Sequence, residues 1–210
     1  RVSIVLPGAG TVASTTILAS GQNGGPTLED GVNYGSAVCS IGDLDGDGVP
    51  DMAVGARLAD GEGAVFVQFM NADGTAKESV KISSNFNGGP ELQSGDLFGR
   101  SVASIGDLDG DGIAELVVGA EGDDTGHMFA GAAYVLFLNR NGTVGNYQKI
   151  AYNTGGGPSL QVPNWFGKGI APLGDLDGDG VNDMVVTASG DKVDGNTVGS
   201  AYVLFMNPDG

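Results

Sequence analysis

The chain has 210 residues, 39 of them glycine, and a formal net charge of −17. That charge argues against nucleic acid and anionic membrane surfaces as partners, because both need a basic face. Regular apolar runs argue against disorder, and a single cysteine, Cys39, rules out an internal disulfide. Cys39 sits in a small-residue alternating segment and reads as a core residue. No run is long enough to span a bilayer, so membrane insertion is not expected. With no initiator Met and no signal peptide, the sequence reads as a mature product or a window of a longer chain.

In chain order, VSIVLPGAGT from Val2 reads as a strand and its turn, and STTILAS from Ser14 as the strand that returns. An NGGP segment follows at Asn23, then an aromatic-Gly pair, Tyr34-Gly35, and the narrow alternating run SAVCSI. GDLDGDG at Gly42 comes next, then the apolar run MAVGA at Met52 and the long run AVFVQFMN at Ala64. A hairpin-type turn, NADGT at Asn71, leads to SVKI at Ser79. The order then repeats. Phe98-Gly99, GDLDGDG at Gly106, LVVGA at Leu116, AYVLFLN at Ala133, NRNGT at Asn139 and YQKI at Tyr147 form the second copy. Phe166-Gly167, GDLDGDG at Gly174, MVVTA at Met184 and AYVLFMN at Ala201 form the third. The period is 64 to 68 residues. Four strands per repeat follow: a narrow first, a second apolar on both faces, a long aromatic third and an alternating, edge-like fourth. Such an antiparallel unit is a propeller blade, whose innermost strand is crowded and needs small side chains. Pro172 in a first strand is tolerable where its missing N–H faces the central channel.

The expected fold is therefore an all-β array of propeller blades with almost no helix. Its divisions are a partial blade at 1–30, blades at 31–94 and 95–162, and a blade lacking its outer strand at 163–210. About three and a half blades do not close a ring, so further blades of the same chain or other copies are expected partners.

The acidic loops carry the chemistry. Asp43, Asp45, Asp47 and Asp51 place carboxylates at positions 1, 3, 5 and 9, with the Val49 carbonyl at position 7. The second loop repeats this with Asp107, Asp109, Asp111, Ile113 and Glu115, the third with Asp175, Asp177, Asp179, Val181 and Asp183. Alternating oxygens around a tight glycine turn suit a hard cation of about calcium's size, so about three Ca²⁺ sites are expected. Magnesium's strict octahedron fits less well, and zinc lacks clustered His and Cys. An EF-hand places a bidentate Glu at position 12. Here Val54, Val118 and Val186 stand there, so the loop joins two strands and no helices flank it. Glu115, one methylene longer than its counterparts, is expected either to shift the geometry of the second site or to weaken it.

With these residues in place the sequence resembles the FG-GAP repeat family, the β-propeller repeats of integrin alpha subunits and of many bacterial surface proteins. The copy FGRSVASIGDLDGDGIAELVVGAEG from Phe98 carries the resemblance best. The resemblance implies a propeller, commonly seven-bladed, with calcium in the loop between a blade's first two strands. It places integrin ligands on the opposite face, so no ligand site transfers to these loops. Tyr34 in place of Phe, Thr187-Ala188-Ser189 in the third copy and the NGGP insert depart from integrins and suit a microbial extracellular protein.

No residue pattern suggests catalysis, and no catalytic residue or organic cofactor is assigned. Neither GxSxG nor HExxH occurs. His127 falls in a Gly-rich loop, and Glu29, Asp30, Glu91 and Asp96 are acids that nothing selects. Trp165 with Phe166 offers either a blade-junction contact or a carbohydrate-stacking surface. Asn141-Gly142-Thr143 reads first as a turn and second as a glycosylation acceptor. The expectation is a non-enzymatic, calcium-binding extracellular module for adhesion or structural assembly at a cell surface, with a protein or carbohydrate ligand. The alternatives are a subunit of an extracellular filament or sheath, and a non-catalytic scaffold of a secreted hydrolase.

Overall fold

A computed structural model describes residues 2–5, 12–160 and 163–210. It is all-β apart from one short 3₁₀ turn, Ala59–Gly61. Strands β1 (Val2–Val5) and β2 (Val12–Thr16) form an antiparallel hairpin, and the turn expected between them lies outside the described residues. The first full blade orders β3 (Tyr34–Gly42), β4 (Asp51–Ala56), β5 (Ala64–Met70) and β6 (Ala76–Ile82) side by side. The second does the same with β7 (Phe98–Gly106), β8 (Glu115–Ala120), β9 (Ala132–Leu138) and β10 (Val144–Ala151). The third sheet holds three strands, β11 (Phe166–Gly174), β12 (Asp183–Ala188) and β15 (Ser200–Leu204). Its connecting loop contains a small hairpin, β13 (Lys192–Val193) with β14 (Asn196–Thr197). The cause is Asp194-Gly195, whose φ values of 51° and 80° make a tight turn.

The strand characters follow from burial. Every residue of β8 is buried, as a strand apolar on both faces requires. The NADGT and NRNGT turns close on Asn71 N–H to Thr75 O (2.7 Å) and Asn139 N–H to Thr143 O (2.8 Å). Pro172 lies opposite Met184 in β11, an edge strand that pairs with β12 alone, the setting in which a strand tolerates proline. Asn33, Leu97 and Trp165, each just before the aromatic-Gly pair, adopt φ of 55°, 61° and 58°. For Leu and Trp that left-handed turn costs about 1 kcal/mol or more. Trp165 is held there by its N–H to Phe129 O (3.0 Å).

The hydrophobic core lies between blades. Val65, Val67 and Phe69 of the first blade pack with Phe98, Leu116 and Tyr134 of the second. Val117, Ala133 and Val135 of the second pack with Phe166, Met184 and Val186 of the third. Cys39 is half-buried against the first of these cores, and burial pushes its thiol up to about 11. At each seam the backbones nearly touch. A Cβ on Gly55 would meet Gly99 O at 2.1 Å, and one on Gly119 would meet Gly167 O at 1.9 Å. Ser36 and Ser101 donate their hydroxyls to those same carbonyls, each at 2.8 Å. The third copy has Thr187 at the glycine position, and its Oγ1 donates within its own sheet to Gly169 O (3.3 Å).

A buried polar knot fastens the second blade's outer strand. Asp123 accepts from Tyr134 Oη (2.8 Å) and Lys149 Nζ (2.7 Å). The Lys149 ammonium also lies 5.3 Å from the centre of the Tyr134 ring. Burial pushes the Asp123 carboxyl up, but Lys149 and Thr125 outweigh it and hold it below the ordinary carboxylate range.

Three outcomes follow. Gly119→Ala forces the second seam apart and is expected to cost about 1–3 kcal/mol in denaturant unfolding, as overpacking does. Thr187→Gly, by contrast, leaves both seams intact. Because Asp123 has a depressed pKa, its contribution is complete above the unfolded value near ~3.9 and fades as pH falls through the native value. Lys149→Met should cost about 2–3 kcal/mol at neutral pH, less than a fully buried pair because Lys149 is partly exposed. Without the lysine, burial raises the Asp123 carboxyl, so this deficit should shrink as pH falls and the acid limb of the stability–pH curve should flatten.

Candidate metal centres

Each GDLDGDG segment leaves a first strand and enters a second, and its glycines make the reversal possible. Gly46 and Gly48 have φ of 82° and 89° with open space around them, so conformation alone selects glycine there. The position-1 aspartate organises the turn. Asp43 Oδ1 accepts from Gly46 N–H (2.8 Å) and its Oδ2 from Gly48 N–H (2.8 Å). Asp107 and Asp175 repeat both bonds in their own loops.

The structure gathers three carboxylates per loop: Asp43, Asp45 and Asp51; Asp107, Asp109 and Glu115; Asp175, Asp177 and Asp183. Within each group one carboxylate oxygen from each residue lies within 4.8 Å of those of the others. The position-5 acids fall outside these groups. Asp47, Asp111 and Asp179 instead turn an oxygen to the N–H two residues on, of Val49 (2.8 Å), Ile113 (2.7 Å) and Val181 (2.8 Å). The Ile113 and Val181 side chains are buried in the two inter-blade cores, and Val49 packs at the edge of a smaller one.

The position-9 acids are almost wholly buried. Asp51 accepts from Leu44 N–H within the loop and from Met70 N–H at the end of β5, both at 2.9 Å. Asp183 does the same with Leu176 (2.9 Å) and Met206 (3.0 Å). One carboxylate thus ties the loop, the second strand and the third strand together. Glu115 accepts from Leu108 N–H (2.5 Å) but makes no matching bond to Leu138. Burial pushes Glu115 up to about 7, and Asp109, Asp107 and Asp111 add to the rise. Burial also raises Asp51.

Carboxylates crowded this closely repel, and only oxygen donors converge, which is the donor set of a hard cation. The residues fit Ca²⁺ in kind. In the first loop a cation of the chain's own already intrudes: Lys77 Nζ lies 2.7 Å from Asp45 Oδ2 and also pairs with Asp47. Sequence reasoning missed Lys77, because Gly145 occupies its place in the second copy and no repeat signal marks it.

The remaining candidates do not join these groups. His127 is exposed, edge-on to Tyr152 at 4.6 Å. Glu29, Asp30 and Glu91 are exposed, while Asp96 is buried and accepts from Gln93 N–H (2.8 Å). Phe166 is fully buried and offers no stacking surface, and Trp165 is half-buried beneath Lys168 (5.5 Å). Asn141 Oδ1 accepts from the Thr143 hydroxyl (2.7 Å), which makes it a turn residue.

Residues 43–118 match the family model described as FG-GAP-like repeat. The chain is 33% identical over 176 residues to integrin alpha-4 of Xenopus laevis, an alignment covering 80% of this chain and 15% of that one. It is 33% identical over 155 residues to integrin alpha-PS5 of Drosophila melanogaster, with 70% and 14% covered. Against integrin alpha-5 of Xenopus laevis it is 33% identical over 174 residues, with 77% and 15% covered. The chain thus spans about one seventh of the length of these relatives. Among the described residues no helix is long and apolar enough to cross a membrane.

Proposed function

Because this chain belongs to the FG-GAP repeat family, we propose that it is a calcium-binding, extracellular β-propeller module for adhesion or structural assembly at a cell surface. The observation that carries the reading is threefold recurrence: the same carboxylate triad at the same place in three successive blades. A cation in each triad would relieve the repulsion and lock the loop to the second and third strands through the buried position-9 acid. The role is shape-holding. A ligand, protein or carbohydrate, would be read by other loops, and the integrin alpha likeness supports adhesion as the setting.

Ca²⁺ should raise the melting temperature and a chelator should reverse the rise. At a hundredfold excess over Kd the gain is about 2.7 kcal/mol per site, several degrees in a chain of this size. A melting temperature indifferent to both would sink the calcium claim. Lys77→Gln should tighten the first site alone, by about fivefold, because a competing surface ion pair is lost. Calorimetric titration reads it, against the wild-type chain.

A further inference from the structure

The two seams between full blades differ in charge at one matched pair of positions, at the end of the blades opposite the acidic loops. Arg57 directly follows β4, and Glu121 directly follows β8. Arg100 is the third residue of β7, and Lys168 is the third of β11. The close backbone approach at each seam brings these positions together. Gly55 meets Gly99 beside Arg57 and Arg100, and Gly119 meets Gly167 beside Glu121 and Lys168. In the second seam a carboxylate sits between two cations: Glu121 accepts from Arg100 Nε–H (2.8 Å) and lies 3.8 Å from Lys168 Nζ. In the first seam both places hold arginine.

The chain has 26 acidic residues, yet among the described residues none of them pairs with Arg57. Arg100 commits its Nε–H to Glu121, which leaves the terminal N–H groups of its fork. A cavity of about 270 Å³ is lined by both arginines together with Asn33, Tyr34, Gly35 and Ser36. Its walls are fixed by main-chain bonds: Leu58 N–H to Val32 O (3.2 Å), Ser36 N–H to Asn33 O (3.1 Å) and Arg100 N–H to Leu97 O (3.0 Å). The Ser36 hydroxyl is already given to Gly99 O (2.8 Å), so recognition of an anion falls to the two arginines. Both are half-buried, where salt screens a charge less than on open surface. Both blades of this seam carry four strands.

We propose that this cavity binds the carboxylate group of a ligand between Arg57 and Arg100, as Glu121 is held between Arg100 and Lys168. Two guanidiniums lining one cavity repel, and an anion between them turns that repulsion into attraction. The planar fork of arginine matches the two oxygens of a carboxylate, a fit that a lysine ammonium lacks. The cavity is smaller than the ~300 Å³ at which pockets for drug-sized ligands begin, so it suits one small acidic group. Two sources carry that chemistry: a free small organic acid, and an acidic side chain of a polypeptide. The site lies at the far end of the first strands from the acidic loops, so its test does not turn on cation binding.

The readout is the ¹H–¹⁵N spectrum of the arginine Nε–H groups at constant ionic strength. The probes are glutarate, a short peptide with both ends blocked and a single glutamate, and the same peptide with glutamine in its place. Glutarate and the glutamate peptide are expected to shift Arg57 and Arg100 saturably, while the glutamine peptide leaves them unmoved. Tighter binding of the glutamate peptide assigns the site to a polypeptide side chain, and tighter binding of glutarate assigns it to a free acid. Arg57→Gln should weaken binding about fivefold, the scale of one partly exposed ion pair. Arg57→Glu should abolish it, because the first seam then holds a carboxylate of its own. Arg140→Gln removes an exposed arginine on the second blade's hairpin turn and should leave binding unchanged. The proposal is overturned by absence of saturation, by equal shifts with the glutamine peptide, or by an Arg140→Gln loss as large as that of Arg57→Gln. Tighter binding of inorganic phosphate than of either carboxylate would overturn it too, by assigning the arginines to another class of anion. The comparison of the two peptides uses the unaltered chain, so it remains decisive even if an Arg57 variant fails to fold.

Discussion

Everything in this molecule hangs on how closely one sheet's backbone approaches the next. At Gly55 and Gly119 the main chain of one blade lies against a carbonyl of its neighbour, with no room for a single carbon. That approach brings the serine hydroxyls of Ser36 and Ser101 into bonding range of the same carbonyls. It also sets the spacing at which Val65 and Val67, or Val117 and Val135, meet the aromatic and aliphatic side chains opposite. Dispersion falls off steeply with even a small radial gap, so a seam held apart by one methyl would weaken every contact along it.

Within a blade, a buried acid does the equivalent service. Asp51 and Asp183 each satisfy two main-chain N–H groups that strand pairing leaves over, one in the loop and one at the end of the third strand. The carboxylates around each of them are crowded in the same small volume. The acid that completes the hydrogen bonding therefore also creates the electrostatic problem that a bound cation would solve. Glu115 separates the two roles: its longer chain keeps the loop contact and misses the strand contact.

Much of this was legible from repetition. The aromatic-Gly pairs, the acidic loops and the apolar runs recur in phase, so four-stranded blades follow from alignment of the chain with itself. The triads follow in part: positions 1, 3 and 9 converge, but position 5 is drawn off by the N–H two residues on, a local competition that spacing does not reveal. Lys77 was invisible because it occurs in one copy only. The Asp123–Tyr134–Lys149 knot was in plain sight at repeat-matched positions, yet its residues lie on two different strands and a loop, and only the folded sheet brings them together. The small β13–β14 hairpin was hidden for a different reason, since an Asp-Gly pair in a glycine-rich loop stands out little from its surroundings.

Thr187 gives the array a form of punctuation. Two seams use a bare glycine to admit the neighbour's carbonyl, and at the third position a branched side chain fills that space. Any sheet stacked on the third blade must therefore sit farther out or at another angle than the two before it. A tandem array of identical joints would have uniform curvature. One hydroxyl and one methyl at a single position break that uniformity, so the curvature of a longer assembly is written locally, one seam residue at a time.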